Sequence, residues 1–157
     1  MIWAALTTGD IRAVSEKTVI SSTRFGEIEI DKSLLFEFVA PIIGYNEHKK
    51  FVLVDNSPDS PFKWLQSVED PELAFPITLC SYFNIDYVFT IEDADADLLG
   101  LEKAEDVMAI NIVNIPHDCP QDATANLLAP LVVNTQTNSA MQIILKNKDY
   151  KVKHPLF

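Results

Sequence analysis

Asp93, Asp95 and Asp97, three aspartates at alternate positions, are the residues of this sequence that come nearest to a metal site. They imitate the opening of a calcium loop, which spaces its oxygen ligands two residues apart. A loop begun at Asp93 needs Gly at its sixth place for the sharp turn and Glu at its twelfth as a bidentate ligand. The chain has Leu98 and Ala104 there, so calcium is not expected. A thiol enzyme would need a Cys, a His and an orienting group, and His117 and Cys119 lie two apart with Pro120 following. That spacing is a poor sign of a catalytic pair. Three scattered histidines, His48, His117 and His154, with two distant cysteines, do not make a zinc site. Gly9, Gly26, Gly44 and Gly100 are isolated, so no loop cradles a phosphate. No cofactor is expected, and an enzyme is the last of the readings. Asn126 and Asn134, beside an apolar strand pair, are expected to satisfy backbone groups at turns and strand ends.

The carboxylates gain weight as a field rather than as ligands. The chain has 12 basic and 23 acidic residues among 157, a net charge of −11, which argues against direct nucleic-acid binding. Residues 86–106 hold eight acids against Lys103 alone, a balance of −7, whereas residues 146–157 carry four lysines against Asp149. An acidic patch can steer a basic partner, although many such patches only keep a surface solvated.

The elements that must position these residues are mostly strands. At 157 residues with 48% apolar and 22% charged side chains, the chain is long enough for one buried core and has the balance of a soluble globular protein. Its longest apolar runs, 1–6 and 127–133, fall far short of a membrane span. Residues 1–6 also make a poor signal peptide, having no basic residue before them. Leu34, Phe36 and Phe38 share one face, 50–55 is a continuous apolar strand, and 62–66 alternates less cleanly. Ile85, Tyr87, Phe89 and Ile91 alternate with Asp86, Val88, Thr90 and Glu92, the clearest half-buried strand of all. Further strands are predicted at 73–80, 107–115, 131–134 and 141–145, with Pro76 marking an edge or bulge. One helix is predicted over 93–100, with Asp93 as N-cap, Ala94, Leu98 and Leu101 on one face, and Gly100 as its stop. A second short turn is expected over 102–106. The fold class is all-β, a mostly antiparallel β-barrel or barrel-like sandwich with one or two short helices. Residues 1–18 are expected to be a flexible or atypical N-terminal extension, and 19–157 a single β domain. Two lone thiols, Cys80 and Cys119, suit a reducing cytoplasm.

Four linked strings give the chain a resemblance. They are Phe25-Gly26-Glu27-Ile28-Glu29-Ile30 leading to Leu35-Phe36-Glu37-Phe38 and Ile43-Gly44-Tyr45; Pro61-Phe62-Lys63-Trp64-Leu65-Gln66-Ser67-Val68-Glu69-Asp70-Pro71; Thr124-Ala125-Asn126-Leu127-Leu128-Ala129-Pro130-Leu131 with Gln142-Ile143-Ile144-Leu145; and Tyr150 with Lys153-His154-Pro155-Leu156. Their order and spacing resemble the FliW family of flagellar assembly factors from about residue 19 to the end. One departure is Ile43-Gly44 where the family usually has Pro-Gly before an aromatic residue. The resemblance implies a cytoplasmic, non-enzymatic partner switch. Members bind flagellin and the translational regulator CsrA, a small RNA-binding dimer, and so relieve its repression of flagellin translation.

Two groups of residues are expected to carry such contacts. Glu92, Asp93, Asp95, Asp97, Glu102 and Glu105 would attract a basic RNA-binding regulator, with a merely solvated helix start as the alternative. Trp64, Leu65 and Gln66 would help to cover an apolar flagellin segment, against the commoner fate of Trp and Leu at strand spacing, which is core. A reading of another class is a small-ligand-binding β-barrel, which needs a deep apolar cavity.

Overall fold

The structure is a computed structural model that describes residues 17–55 and 57–157. The expected N-terminal extension lies outside the described residues except for Lys17 and Thr18, which begin the first strand. The chain opens with a hairpin, β1 (Lys17–Ser22) and β2 (Gly26–Asp31). It then runs through β3 (Leu35–Phe38), β4 (Lys50–Val54), β5 (Lys63–Ser67) and β6 (Ala74–Thr78). One helix, α1 (Asp93–Leu99), precedes β7 (Val107–Asn114). The remaining strands are β8 (Thr124–Ala125), β9 (Leu131–Asn134), β10 (Ser139–Gln142) and β11 (His154–Pro155).

Strands β3 to β7 pair in chain order, β7 pairs β9, β9 pairs β10, and β10 returns to β3. These seven strands close a ring, and β10 with β3 is its one parallel contact. The barrel predicted from the strand pattern is therefore the fold observed. Its interior is filled: Phe36, Phe38, Phe51, Leu53, Leu65, Ile77, Met108, Ile110, Leu131, Val133 and Ala140 are all buried in one cluster. Phe38 and Phe51 meet edge to face at 5.3 Å. Each of these side chains other than that of Ala140 contributes about 1.5–3 kcal/mol by leaving water.

Two outer layers explain why some strands lack alternation. The β1–β2 hairpin sets Ile20 and Ile30 on Val52, so β4 is covered on both faces. On another side Leu99 of α1 joins Val132, Met141, Ile143 and Leu145, which buries the outer face of β9 as well. A strand buried on both sides reads as one apolar run.

Three expectations are corrected in detail. Residues 85–92 alternate in burial as predicted, yet they join no ladder. The Tyr150 hydroxyl donates to Val88 O at 2.7 Å and accepts Val88 N–H at 2.9 Å, so one side chain takes the place of a neighbouring strand. The N-cap position is Glu92 rather than Asp93, and its side chain makes no capping hydrogen bond. It also buries the other face: Leu99 is 1% exposed, whereas Leu98 is 58% exposed. Gly100 does end the helix, at φ +67°, a left-handed conformation that Gly adopts cheaply. Pro76 lies beyond the β6–β7 ladder, which spans only Ile77 and Thr78, and so it sits at the local edge expected of it.

Candidate functional site

The acidic residues fall where the chain order puts them, along α1 and the turn after it. Glu92, Asp93, Asp97, Glu102 and Glu105 are exposed and Asp95 is half-buried. Glu92 is paired with Lys146, whose ammonium is held above its ordinary range by that carboxylate. Lys103 lies 3.9 Å from Glu105, an exposed pair of little energetic weight. Asp106 accepts from Gln136 Nε2 at 3.3 Å. Among the described residues no group of His, Cys, Asp or Glu is gathered as a metal would need.

The three residues expected to meet flagellin separate. Trp64 is half-buried, with Arg24 stacked 4.1 Å from its ring centroid and Phe25 edge-on at 5.8 Å. Leu65 and Gln66 have no exposed surface at all. Leu65 belongs to the barrel interior, and Gln66 faces the turn that follows its strand. Its Oε1 accepts from Ser22 Oγ at 2.8 Å, and its Nε2 lies 3.0, 3.2 and 3.1 Å from the carbonyls of Ser67, Asp70 and Leu73. An amide so placed ties the hairpin to the barrel. Burial thus corrects the contact role expected of Leu65 and Gln66, because a partner cannot touch what the fold encloses.

The other candidates for chemistry are equally plain. His117 and Asp118 are exposed neighbours, and the Cys119 thiol is held above its ordinary value, chiefly by its hydrogen bond to Asp122. A thiol pushed that way is less nucleophilic at neutral pH. Burial pushes the Cys80 thiol up to about 11. Asn126 Oδ1 accepts from Ala129 N–H, and Asn134 bridges Leu99 O to Gln136 N–H, so both satisfy backbone as expected.

What the sequence reading did not find is a groove of about 600 Å³ beside the acidic residues. One wall is the segment 88–92, held down by Tyr87 against Tyr150 at 4.9 Å. Residues 141–147 and Ile43 complete its lining. Ile43, Val88 and Ile144 are 57%, 69% and 62% exposed, a run of branched apolar side chains open to water. Ile43 is displayed by a tight turn in which Tyr45 N–H donates to Ile42 O at 2.8 Å and Gly44 sits at φ +90°. That positive φ is the third position of a type II turn. Ile43 therefore takes the place of the usual Pro and adds an apolar side chain to the surface. Glu92, Asp95 and Lys146 also line this groove. A second concavity, about 510 Å³, opens on the other flank of the segment near Ile91, Leu101, Val107 and Glu102. One signal was available in the sequence: Val88 is the apolar member of the otherwise polar face Asp86, Thr90 and Glu92.

A solid barrel whose distinctive chemistry lies wholly on its outside is the arrangement these residues define. The FliW protein family matches residues 18–156. The flagellar assembly factor FliW of Syntrophotalea carbinolica is 36% identical over 141 residues, covering 90% of this chain and 98% of that one. The flagellar assembly factor FliW of Pseudothermotoga lettingae is 38% identical over 136 residues, covering 87% and 86%. A crystal structure of the flagellar assembly factor FliW superposes with a TM-score of 0.81 at 34% identity, covering 89% of this chain and 97% of that one. The chain belongs to the FliW family of flagellar assembly factors.

Proposed function

We propose that this chain acts by partner switching: it binds flagellin and a CsrA-type RNA-binding regulator, and so relieves repression of flagellin translation. The observation that carries the reading is the exposed apolar groove lying directly against an acidic surface. Free flagellin has amphipathic segments that need an apolar cover before they pack in a filament, and the groove has the character for one. A protein that holds RNA is basic, and eight acids within residues 86–106 suit its attraction. Both partners place the work in the cytoplasm. No helix of the described residues is long and apolar enough to cross a membrane. The assignment is to binding rather than to turnover.

A small-ligand barrel is the poorer reading, because buried aromatic and aliphatic side chains occupy the interior where a ligand would sit. The test is a binding assay with purified flagellin and purified regulator, each alone and both together. The chain is expected to hold either one, and flagellin to displace the regulator. Failure to hold either would overturn the proposal.

A further inference from the structure

We infer that the backbone edge at residues 144–146 accepts an extended peptide segment as an added strand, one with apolar side chains at alternate positions and a Lys or Arg near Glu92 and Asp95. This goes beyond the function proposed above and needs neither partner named there. β10 pairs with β9 on one side and with β3 on the other, where Ser139 faces Glu37, Ala140 faces Phe38, and Val39 N–H reaches Ala140 O. Past Gln142 the first side continues: Ile143 N–H donates to Pro130 O at 3.0 Å and Leu145 N–H to Leu128 O at 2.8 Å. The second side does not, because the chain after β3 turns away between Ile42 and Tyr45. Alternate residues of an extended chain point their backbone groups to opposite sides. Ile144 and Lys146 therefore direct theirs away from residues 128–130, and among the described residues they hold no backbone hydrogen bond.

An edge with free donors and acceptors templates another strand unless it is covered or charged. Here the edge residue is the exposed Ile144, and the one charge beside it, Lys146, is engaged by Glu92. Val88 and Ile43 both line the slot and both are exposed, so side chains at alternate positions of an incoming strand would meet apolar surface. Glu92 and Asp95 outnumber the single ammonium at one end, which selects a basic residue there. The added strand takes the place that a longer β3 would have filled.

The test uses the full chain and a fluorescent synthetic peptide, Lys-Val-Thr-Val-Thr-Val-Lys, with binding read by anisotropy. Two twins of the peptide are N-methylated on one or the other set of alternate residues, which removes N–H groups and keeps the side chains. Saturable binding is expected, with one twin weakened about tenfold by the loss of its edge bonds. Ile144→Pro, which removes an N–H unused inside the protein along with the branched side chain, should weaken the parent peptide by a similar factor. Ile144→Thr, which keeps the edge, should retain most of the binding. No binding of the parent peptide, or equal binding of the parent and both twins, would overturn the inference. So would a dimer of the wild-type chain in light scattering that Ile144→Pro dissolves, because the occupant would then be a second copy. Should Ile144→Pro fail to fold by circular dichroism, the twins on the wild-type chain decide alone. Loss of flagellin and regulator binding in the earlier assay would leave this result standing, and failure here would leave that one untouched.

Discussion

Gln66 offers the sharpest way to separate packing from contact. Its side chain is fully buried, accepts one bond from the Ser22 hydroxyl and aims its amide at the carbonyls of the turn after β5. Gln66→Leu keeps the volume and removes the polar atoms. An NH₂ group has two protons, so at most two donated bonds and one accepted bond disappear. The buried Ser22 hydroxyl loses the acceptor of its proton, although it still receives Arg24 N–H and Phe25 N–H, and at least one turn carbonyl is left dry. At about 1–3 kcal/mol for each unsatisfied buried group, less the gain from a buried leucine, the net cost is about 2–4 kcal/mol. For a chain of this size that lowers Tm by roughly 5–15 °C. Thermal melts followed by circular dichroism supply the stability, and partner affinity is measured well below the new Tm. The expected result is a lower Tm with unchanged affinity. An unchanged Tm with lost affinity would refute the reasoning, because it would make Gln66 a contact after all. Ser22→Ala also removes the acceptor of Arg24 N–H and Phe25 N–H, so it should cost about 1–3 kcal/mol alone and overlap with Gln66→Leu only in the one bond the two share.

The remaining expectations concern the helix, acid and salt. Leu99→Ala should cost about 2–5 kcal/mol in urea denaturation, whereas Leu98→Ala should stay within about 0.5 kcal/mol; the reverse order would mean that α1 packs by its other face. The Glu69 carboxylate accepts Lys50 N–H at 2.8 Å and Lys49 N–H at 2.7 Å, which holds it below its ordinary 4.5. Its stabilisation is present above that value and is lost as pH falls through the folded pKa. The Tm gap between wild type and Glu69→Gln should therefore close in acid, and a gap that widens would contradict the sign. Raising salt to about 0.3 M should slow association with the regulator several-fold. A variant carrying Asp97→Asn, Glu102→Gln and Glu105→Gln should show a flatter salt dependence in stopped-flow, and identical slopes would remove steering from the account.

What the sequence disclosed followed from period. Strands β3, β5 and β7 were legible because an apolar face every second residue has one economical burial, and β4 and β9 because an unbroken apolar run suits a strand covered on both faces. The segment 85–92 shows the limit of that signal: alternation tells which side chains go in, and says nothing of whether a ladder or a tyrosine hydroxyl holds the backbone. The helix face was misread because seven residues make barely two turns, so Leu98 and Leu99 compete for one buried position and the neighbours Val132 and Met141 decide. Gln66 was misplaced because β5 is covered on both sides, by the barrel interior and by the β1–β2 hairpin, and a polar residue in a doubly buried strand looks like a solvent-facing one. The groove was out of reach. Ile43, Val88 and Ile144 come from three separate stretches, and only the fold makes them neighbours.

The single parallel seam has a consequence for how the molecule is made. Asn138 Nδ2 donates to Ser33 O across 105 positions of sequence, right beside the β3–β10 contact. Such distant partners impose a large entropic search before any reward arrives. During synthesis β3 emerges ahead of β4 to β9 and must wait for all of them before its second neighbour exists. For that interval the growing chain is an unclosed sheet with bare margins, prone to sticking. β10 is therefore the strand that closes the ring, and damage to it would be felt at β3, far earlier in the sequence.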